Sequence, residues 1–202
     1  MADSDHYFSQ GFEERMLSLA TRTLDKDPYT VLVYRIFEVD KKVKPPKTKS
    51  ELLKLYNNET AREFHKIFFN HHKMAGQEEW FTEPENSTPS VQLVLPYNDS
   101  RWEPQFVSTK LVPLHDESFV YPIKDNTVLR WEMCRAGFKF AVVHNVFMYH
   151  LGFKSSEAER KVHRLRKKMV RRAKNAVAMF NQRMDQLFPT TQKVCPVFQI
   201  RL

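Results

Sequence analysis

Asp3 and Asp5 stand two residues apart in "MADSDHYFSQGFEERM", directly ahead of a histidine and two aromatics. On an extended segment, residues i and i+2 share a face, so both carboxylates are expected to approach one hard divalent cation of the kind that accompanies nucleotide phosphates. A D-x-D pair is equally a helix N-cap or a solvated turn, and the residues alone leave these open. His150 closes the run "FKFAVVHNVFMYH" just ahead of Leu151, Gly152 and Phe153, where it is either a structural histidine or a further ligand. His71 and His72 are expected on a helix surface, and His6, His65, His115, His144 and His163 have no spacing that reads as a zinc box. Cys134 and Cys195, far apart with no second pair, exclude a cysteine-based zinc site; they either form a disulfide in an oxidising compartment or stay reduced. The acidic stretch "LHDESFVYPIKDN" offers Asp116, Glu117 and Asp125 as candidate general bases. No Gly-rich phosphate loop, G-x-S-x-G elbow or H-E-x-x-H is present, which removes several enzyme classes.

The scaffold for these residues is a globular chain of 202 residues, 42% apolar and 28% charged, with only four glycines. That length supports one good core, and the composition is too apolar for disorder away from the ends. No run of apolar residues is long enough to span a bilayer, and the acidic, polar N-terminus does not resemble a signal peptide. The net charge of +8 is concentrated: Arg160 to Lys174 holds nine Lys or Arg and no acid, so the remainder is nearly neutral. Such a patch describes one face, either a solvated helix side or a binding surface for acidic partners, and no nucleic-acid module accompanies it.

Periodicity places the elements. "GFEERMLSLATRTLDKD" predicts a helix, "YTVLVYRIFEV" a buried strand, and "KTKSELLKLYNN" a helix capped by Thr48 or Ser50 with Glu51 in its first turn. A second helix is expected over "NETAREFHKIFFNHHK", loop with short extended pieces from Gln77 to Pro96, and a strand pair in "RWEPQFVSTKLVPL". A helix ending at Gly137 and a strand over "FKFAVVHNVFMYHLG" follow. From about Ser155 to Leu187 an amphipathic helix carries the basic cluster opposite an apolar stripe of Ala158, Val162, Leu165, Met169, Ala173, Ala176, Phe180, Met184 and Leu187. The mixture points to the α/β class. Three N-x-[ST] sequons, at Asn58, Asn86 and Asn98, are a mild excess that suits a lumenal protein.

Taken in order, the segments "ADSDHYFSQGFEERM", "YTVLVYRIFEVD", "PPKTKSELLKLYNN", Phe64-His65, Trp80, "WEPQFV", "DESFV" and "CRAGFKFAVVHNVFMYHLGFK" resemble glycosyltransferase family 49 over about residues 2 to 153. The group includes β-1,4-glucuronyltransferase and the second catalytic half of LARGE-type transferases. The resemblance implies the C-terminal part of a GT-A fold with a mixed sheet over 1–153; beyond it the residues themselves are read as the basic helix packed on the domain over 154–188 and a tail over 189–202. It implies inverting transfer of a sugar, such as glucuronic acid or N-acetylglucosamine, from a UDP-sugar to a glycan or glycoprotein acceptor, with Mn²⁺ as cofactor. Asp3, Asp5 and His150 would be the metal ligands, the two aspartates also holding the donor, and Asp116, Glu117 or Asp125 the base. The resemblance further implies the Golgi lumen, as a type II membrane protein anchored only in a longer form, with no nucleic-acid partner.

Two departures accompany the likeness. The family's glycine-bearing segment after its D-x-x-F is replaced here by Tyr121, Pro122 and Ile123, which changes the expected acceptor geometry. The strands that hold uridine and ribose precede the D-x-D in a GT-A fold, whereas only Met1 and Ala2 precede it here. The expectation is therefore a shortened product, whose alternatives are an inactive family member or a basic-helix binder of acidic surfaces.

Overall fold

Ten consecutive β-branched, aromatic and mostly apolar side chains, Thr30–Val39, form a strand in which every residue is buried. A strand covered on both faces shows no polar alternation, which is why this run reads as continuously apolar. The computed structural model describes residues 1–66, 74–85, 88–99, 101–153, 156–195 and 197–199. In chain order its strands are β1 (His6–Phe8), β2 (Thr30–Val39), β3 (Ala61–Glu63), β4 (Val91–Leu95), β5 (Gln105–Val107) and β6 (Lys139–Leu151). The helices are α1 (Phe12–Leu24), α2 (Lys49–Asn57), α3 (Gln77–Thr82), α4 (Thr127–Arg135) and α5 (Ser156–Leu187). The α/β class expected from the sequence is the one observed.

The chain forms two compact units. The first comprises Met1–Leu95, Pro104–Leu111 and Lys139–Phe153 and contains the whole sheet. Its centre is the parallel pair β2–β6; β3 and β5 line the free edge of β2, while β1 and β4 line the free edge of β6, all four antiparallel. Helix α1 buries Met16, Leu19 and Leu24 against Leu32, Tyr34 and Ile36 on one face. On the other face Leu52 of α2 and Trp80 of α3 pack on Phe37, Val39, Phe147 and Tyr149. Between Val33 and Arg35 the β2–β6 register slips, and Asn145 takes a left-handed φ of 70°. Before this bulge Ala141 and Val143 face α1; after it Val146 and Met148 do, so the even-numbered residues take over that face.

Local chemistry accounts for the helix starts. Thr48 Oγ1 accepts from the Glu51 amide at 3.2 Å while Glu51 Oε2 accepts from the Thr48 amide at 3.3 Å, a complete capping box. Three expectations fail in whole or in part. The described part of the segment predicted as a helix from Asn58 contains β3 instead: Glu59 sits at φ 57°, which ends helix α2, and Ala61–Glu63 then pairs with the Phe37–Val39 edge of β2. Edge pairing decides here over intrinsic preference. The loop with short extended pieces expected from Gln77 does contain a short strand, β4, which gains its hydrogen bonds from β6, but it also holds the unexpected helix α3, six residues long and anchored by fully buried Trp80. The expected strand pair at Arg101–Leu114 is the single strand β5.

The second unit comprises Pro96–Glu103, Val112–Phe138 and Lys154–Leu202. Within it α4 is buried along its whole length, and Phe119, Trp131, Phe180 and Phe198 form an aromatic cluster with ring centroids 5.4–5.9 Å apart. Cys134 and Cys195 form a disulfide, with Cα atoms 6.1 Å apart. Buried Arg135 donates to the carbonyls of Met184 and Phe188, both at 2.8 Å, and pairs with Asp185, so its cation satisfies the C-terminal end of α5. Among the described side chains of the apolar stripe of α5, Ala173, Ala176, Phe180 and Met184 are buried, and Leu165 and Leu187 are exposed.

Candidate functional site

Strand β1 sets His6 opposite His150 across the sheet, and the D-x-D immediately precedes it. Its local shape differs from the extended segment expected: the His6 amide donates to the Asp3 carbonyl, and residues 4–5 form a turn. The turn is anchored behind by Met1, whose amino group donates to the Phe106 carbonyl and whose own carbonyl accepts from the Tyr34 hydroxyl, both at 2.6 Å. The two carboxylates consequently diverge from a shared strand face and gather around the buried His6 ring. Asp5 Oδ1 accepts from His6 Nδ1 at 2.9 Å, and Asp3 Oδ2 lies 4.0 Å from the same nitrogen. The hydrogen bond from His6 holds the Asp5 carboxyl below its usual range.

His150 reaches the same point from the C-terminal end of β6. Its Nε2 is 3.6 Å from Asp5 Oδ2, and its Nδ1 is 2.9 Å from the Gly152 carbonyl. A carbonyl only accepts, so Nδ1 carries the proton, and in the neutral ring Nε2 presents its lone pair towards the carboxylate. Two such groups repel unless a proton or a cation lies between them. The orphaned Nε2 of buried His6, without a hydrogen-bond partner, is a second unsatisfied polar atom beside them. Mixed carboxylate and imidazole ligation suits divalent transition metals such as Mn²⁺, and a backbone carbonyl on the far ring nitrogen is the usual way to orient such a ligand. The Asp5–His150 pair therefore fits a metal ion. Asp3 is directed to His6, and among the described residues no three His, Cys, Asp or Glu side chains converge closely enough to form a complete ligand set.

The wall behind the pair contains residues that sequence reasoning passed over. Glu38 is fully buried and occupies the β2 position in register with His150. It accepts from Arg62 Nε at 2.8 Å and from the His65 amide at 3.2 Å, and the Arg62 guanidinium lies 4.0 Å above the Phe153 ring. Phe64 packs edge-on against His6 at 4.9 Å. The available signal was the acid Glu38 inside the mostly apolar "YRIFEV", which also holds Arg35, since a buried charge requires a partner. All of this sits at the carboxyl ends of parallel strands β2 and β6, where open α/β sheets place their ligands.

The three candidate bases belong to the second unit and have unlike surroundings. Asp116 is committed to its own turn and to an ion pair: Oδ1 accepts from the Ser118 amide and hydroxyl, and Oδ2 from Arg183 at 2.9 Å. Glu117 is exposed. Asp125 is half-buried, and burial pushes its carboxyl up even though His115 and Arg166 act in the opposite sense. A raised carboxyl is the better proton acceptor. Asn58 and Asn98 are exposed, while Asn86, His71 and His72 lie outside the described residues. Among the described residues no helix is long and apolar enough to cross a membrane.

Comparison with known proteins adds an independent line. The sequence is 29% identical to beta-1,4-glucuronyltransferase 1 of Mus musculus over 167 residues, covering 82% of this chain and 39% of that protein. The Homo sapiens and Danio rerio proteins of the same name are 28% and 27% identical over the same share of this chain, covering 39% and 38% of their lengths. The chain thus spans about two fifths of the length of these relatives. The profile of the family described as "Glycosyl-transferase for dystroglycan" matches residues 1–189. With nearly its whole length matched, and in the order of segments from the D-x-D turn to His150, the chain belongs to glycosyltransferase family 49.

Proposed function

We propose that this chain carries the metal-binding end of an inverting GT-A glycosyltransferase that uses a UDP-sugar and Mn²⁺. The observation that carries the reading is the Asp5 carboxylate facing His150 Nε2 at 3.6 Å, with Nδ1 tied to Gly152. A divalent cation held there supplies charge neutralisation for the departing nucleoside diphosphate. Asp5 and His150 hold it, Asp3 adds negative charge at the same turn, and Glu38 with Arg62 braces the strand ends behind. Asp125 is the best suited of the three acids to take the proton of an acceptor hydroxyl. The glucuronyltransferase relatives favour glucuronate as the sugar and a glycan or glycoprotein as acceptor. The disulfide and the exposed sequon asparagines Asn58 and Asn98 favour the Golgi lumen, with the anchor in a longer form.

The test is Mn²⁺ titration of the full chain followed by electron paramagnetic resonance, together with UDP-sugar hydrolysis. Asp5→Asn and His150→Gln should each weaken Mn²⁺ binding by about tenfold or more, in line with the loss of one ligand. Their melting temperatures should stay near that of the parent chain, because Asp5 is largely exposed and His150 is at a strand end. Unchanged Mn²⁺ affinity in both variants would sink the metal role. Binding without turnover would assign the inactive alternative.

A further inference from the structure

The excess charge of this protein is organised as a line. On a helix of 3.6 residues per turn, Arg160, Arg164, Lys167, Arg171 and Lys174 fall four, three, four and three residues apart, so they form one longitudinal row of about 21 Å. Lys161, Lys168 and Arg172 run alongside it. On the face opposite the row, within its own span, Ala173 is buried, Val162 and Met169 are half-buried and Leu165 is exposed, while all five cations of the row are exposed. Among the described residues Lys161 pairs with Glu157, but none of the five forms an ion pair with a carboxylate. Like charges at i,i+4 spacing weaken a helix by a few tenths of a kcal/mol per pair, so the arrangement costs stability that a polyanion restores.

We propose that the outer face of α5 binds a linear acidic glycan, a chain bearing repeated carboxylates or sulfates. This assignment rests on the glycosyltransferase reading above. The straightness of the row suits an extended polymer laid along the helix axis. A membrane surface fits less well: an interfacial helix sinks a continuous apolar face into the bilayer, and here that face is buried in the protein from Ala173 to Met184 and half-buried at Val162 and Met169. A nucleic acid matches the charge but not the compartment implied by the Cys134–Cys195 disulfide, which joins α4 to the segment following α5.

The experiment uses the full chain, with polygalacturonate and heparin as probes in fluorescence titrations over a salt series. The variant Arg164→Gln/Lys167→Gln/Arg171→Gln should bind about 100-fold more weakly at low salt, from roughly fivefold per cation removed. Its slope of log K against log salt should fall by about 2 to 3. Lys41→Gln/Lys42→Gln/Lys110→Gln, which removes equal charge at exposed positions elsewhere, should keep the parent affinity, and circular dichroism should show α5 intact in both. Equal affinity of the row variant and the parent overturns the proposal, as does tighter binding to duplex RNA or to phosphatidylserine vesicles than to either polysaccharide. The Mn²⁺ titration is read separately: intact Mn²⁺ binding with no polysaccharide binding removes this inference alone. Polysaccharide binding through the row without Mn²⁺ binding supports glycan recognition by α5 while removing the glycosyltransferase reading.

Discussion

The two units of this chain are held together by different means. The sheet unit relies on register and non-directional burial: β2 and β6 are sealed on both faces, and a single stretch of each strand fixes several neighbours. The helical unit relies on individually placed links, the Cys134–Cys195 bridge, Arg135 across the end of α5, and Arg183 clasping both Asp116 and Glu132. The contrast teaches where each can tolerate change. A unit built on distributed packing loses stability in proportion to the volume removed, whereas a unit built on links loses it in steps.

The largest effect should come from the sheet unit. Trp80 is fully buried between Phe37 and Phe147, and its indole N–H donates to the Val143 carbonyl at 3.0 Å. Trp80→Ala should cost about 3–5 kcal/mol, measured as a fall in urea midpoint, because it opens a cavity and strips a partner from a strand carbonyl. Next comes the helical unit: Cys134→Ser/Cys195→Ser should cost about 2–4 kcal/mol through the loosened unfolded chain. Hydrogen exchange sharpens the comparison, since α4 and the C-terminal half of α5 should lose protection while β2 and β6 keep theirs. Uniform loss across both would break it. The smallest effect is expected at Thr48, where Thr48→Ala removes one side of the capping box and should lower stability by about 1 kcal/mol, read from the melting temperature.

The same contrast explains what could be read from the residues alone. Helices α1 and α2, strand β2 and the long strand β6 carry strong periodicity or an unbroken apolar run, and α2 carries its cap in the letters Thr48 and Glu51. Strand β3 has three residues and exists because β2 offers an edge; nothing in Ala61-Arg62-Glu63 announces it. In the site, Asp5 and His150 were visible as a pair once the resemblance ordered them, but the turn that sends Asp3 towards His6 depends on Met1 being pinned by Phe106 and Tyr34. The raised carboxyl of Asp125 is likewise a product of tertiary burial, and no local motif encodes it.

The bulge in β6 gives the site a dependence on count as well as on chemistry. Three more residues are spent on β6 than on β2 between the pairs Val33–Val142 and Arg35–Phe147, an odd number, and this difference decides that His150 rather than Tyr149 looks towards Asp5. The bulge is thus constrained in number as well as in kind, since Asn145 holds a left-handed φ and Val143 and Val146 are buried. A single-residue deletion between Val143 and Phe147 exchanges the two sides of everything downstream, bringing Leu151 to the place of His150 and turning the imidazole away. In a lineage of such chains, insertions and deletions at the bulge should be purged for as long as the site is in use, so its length is a record of that use.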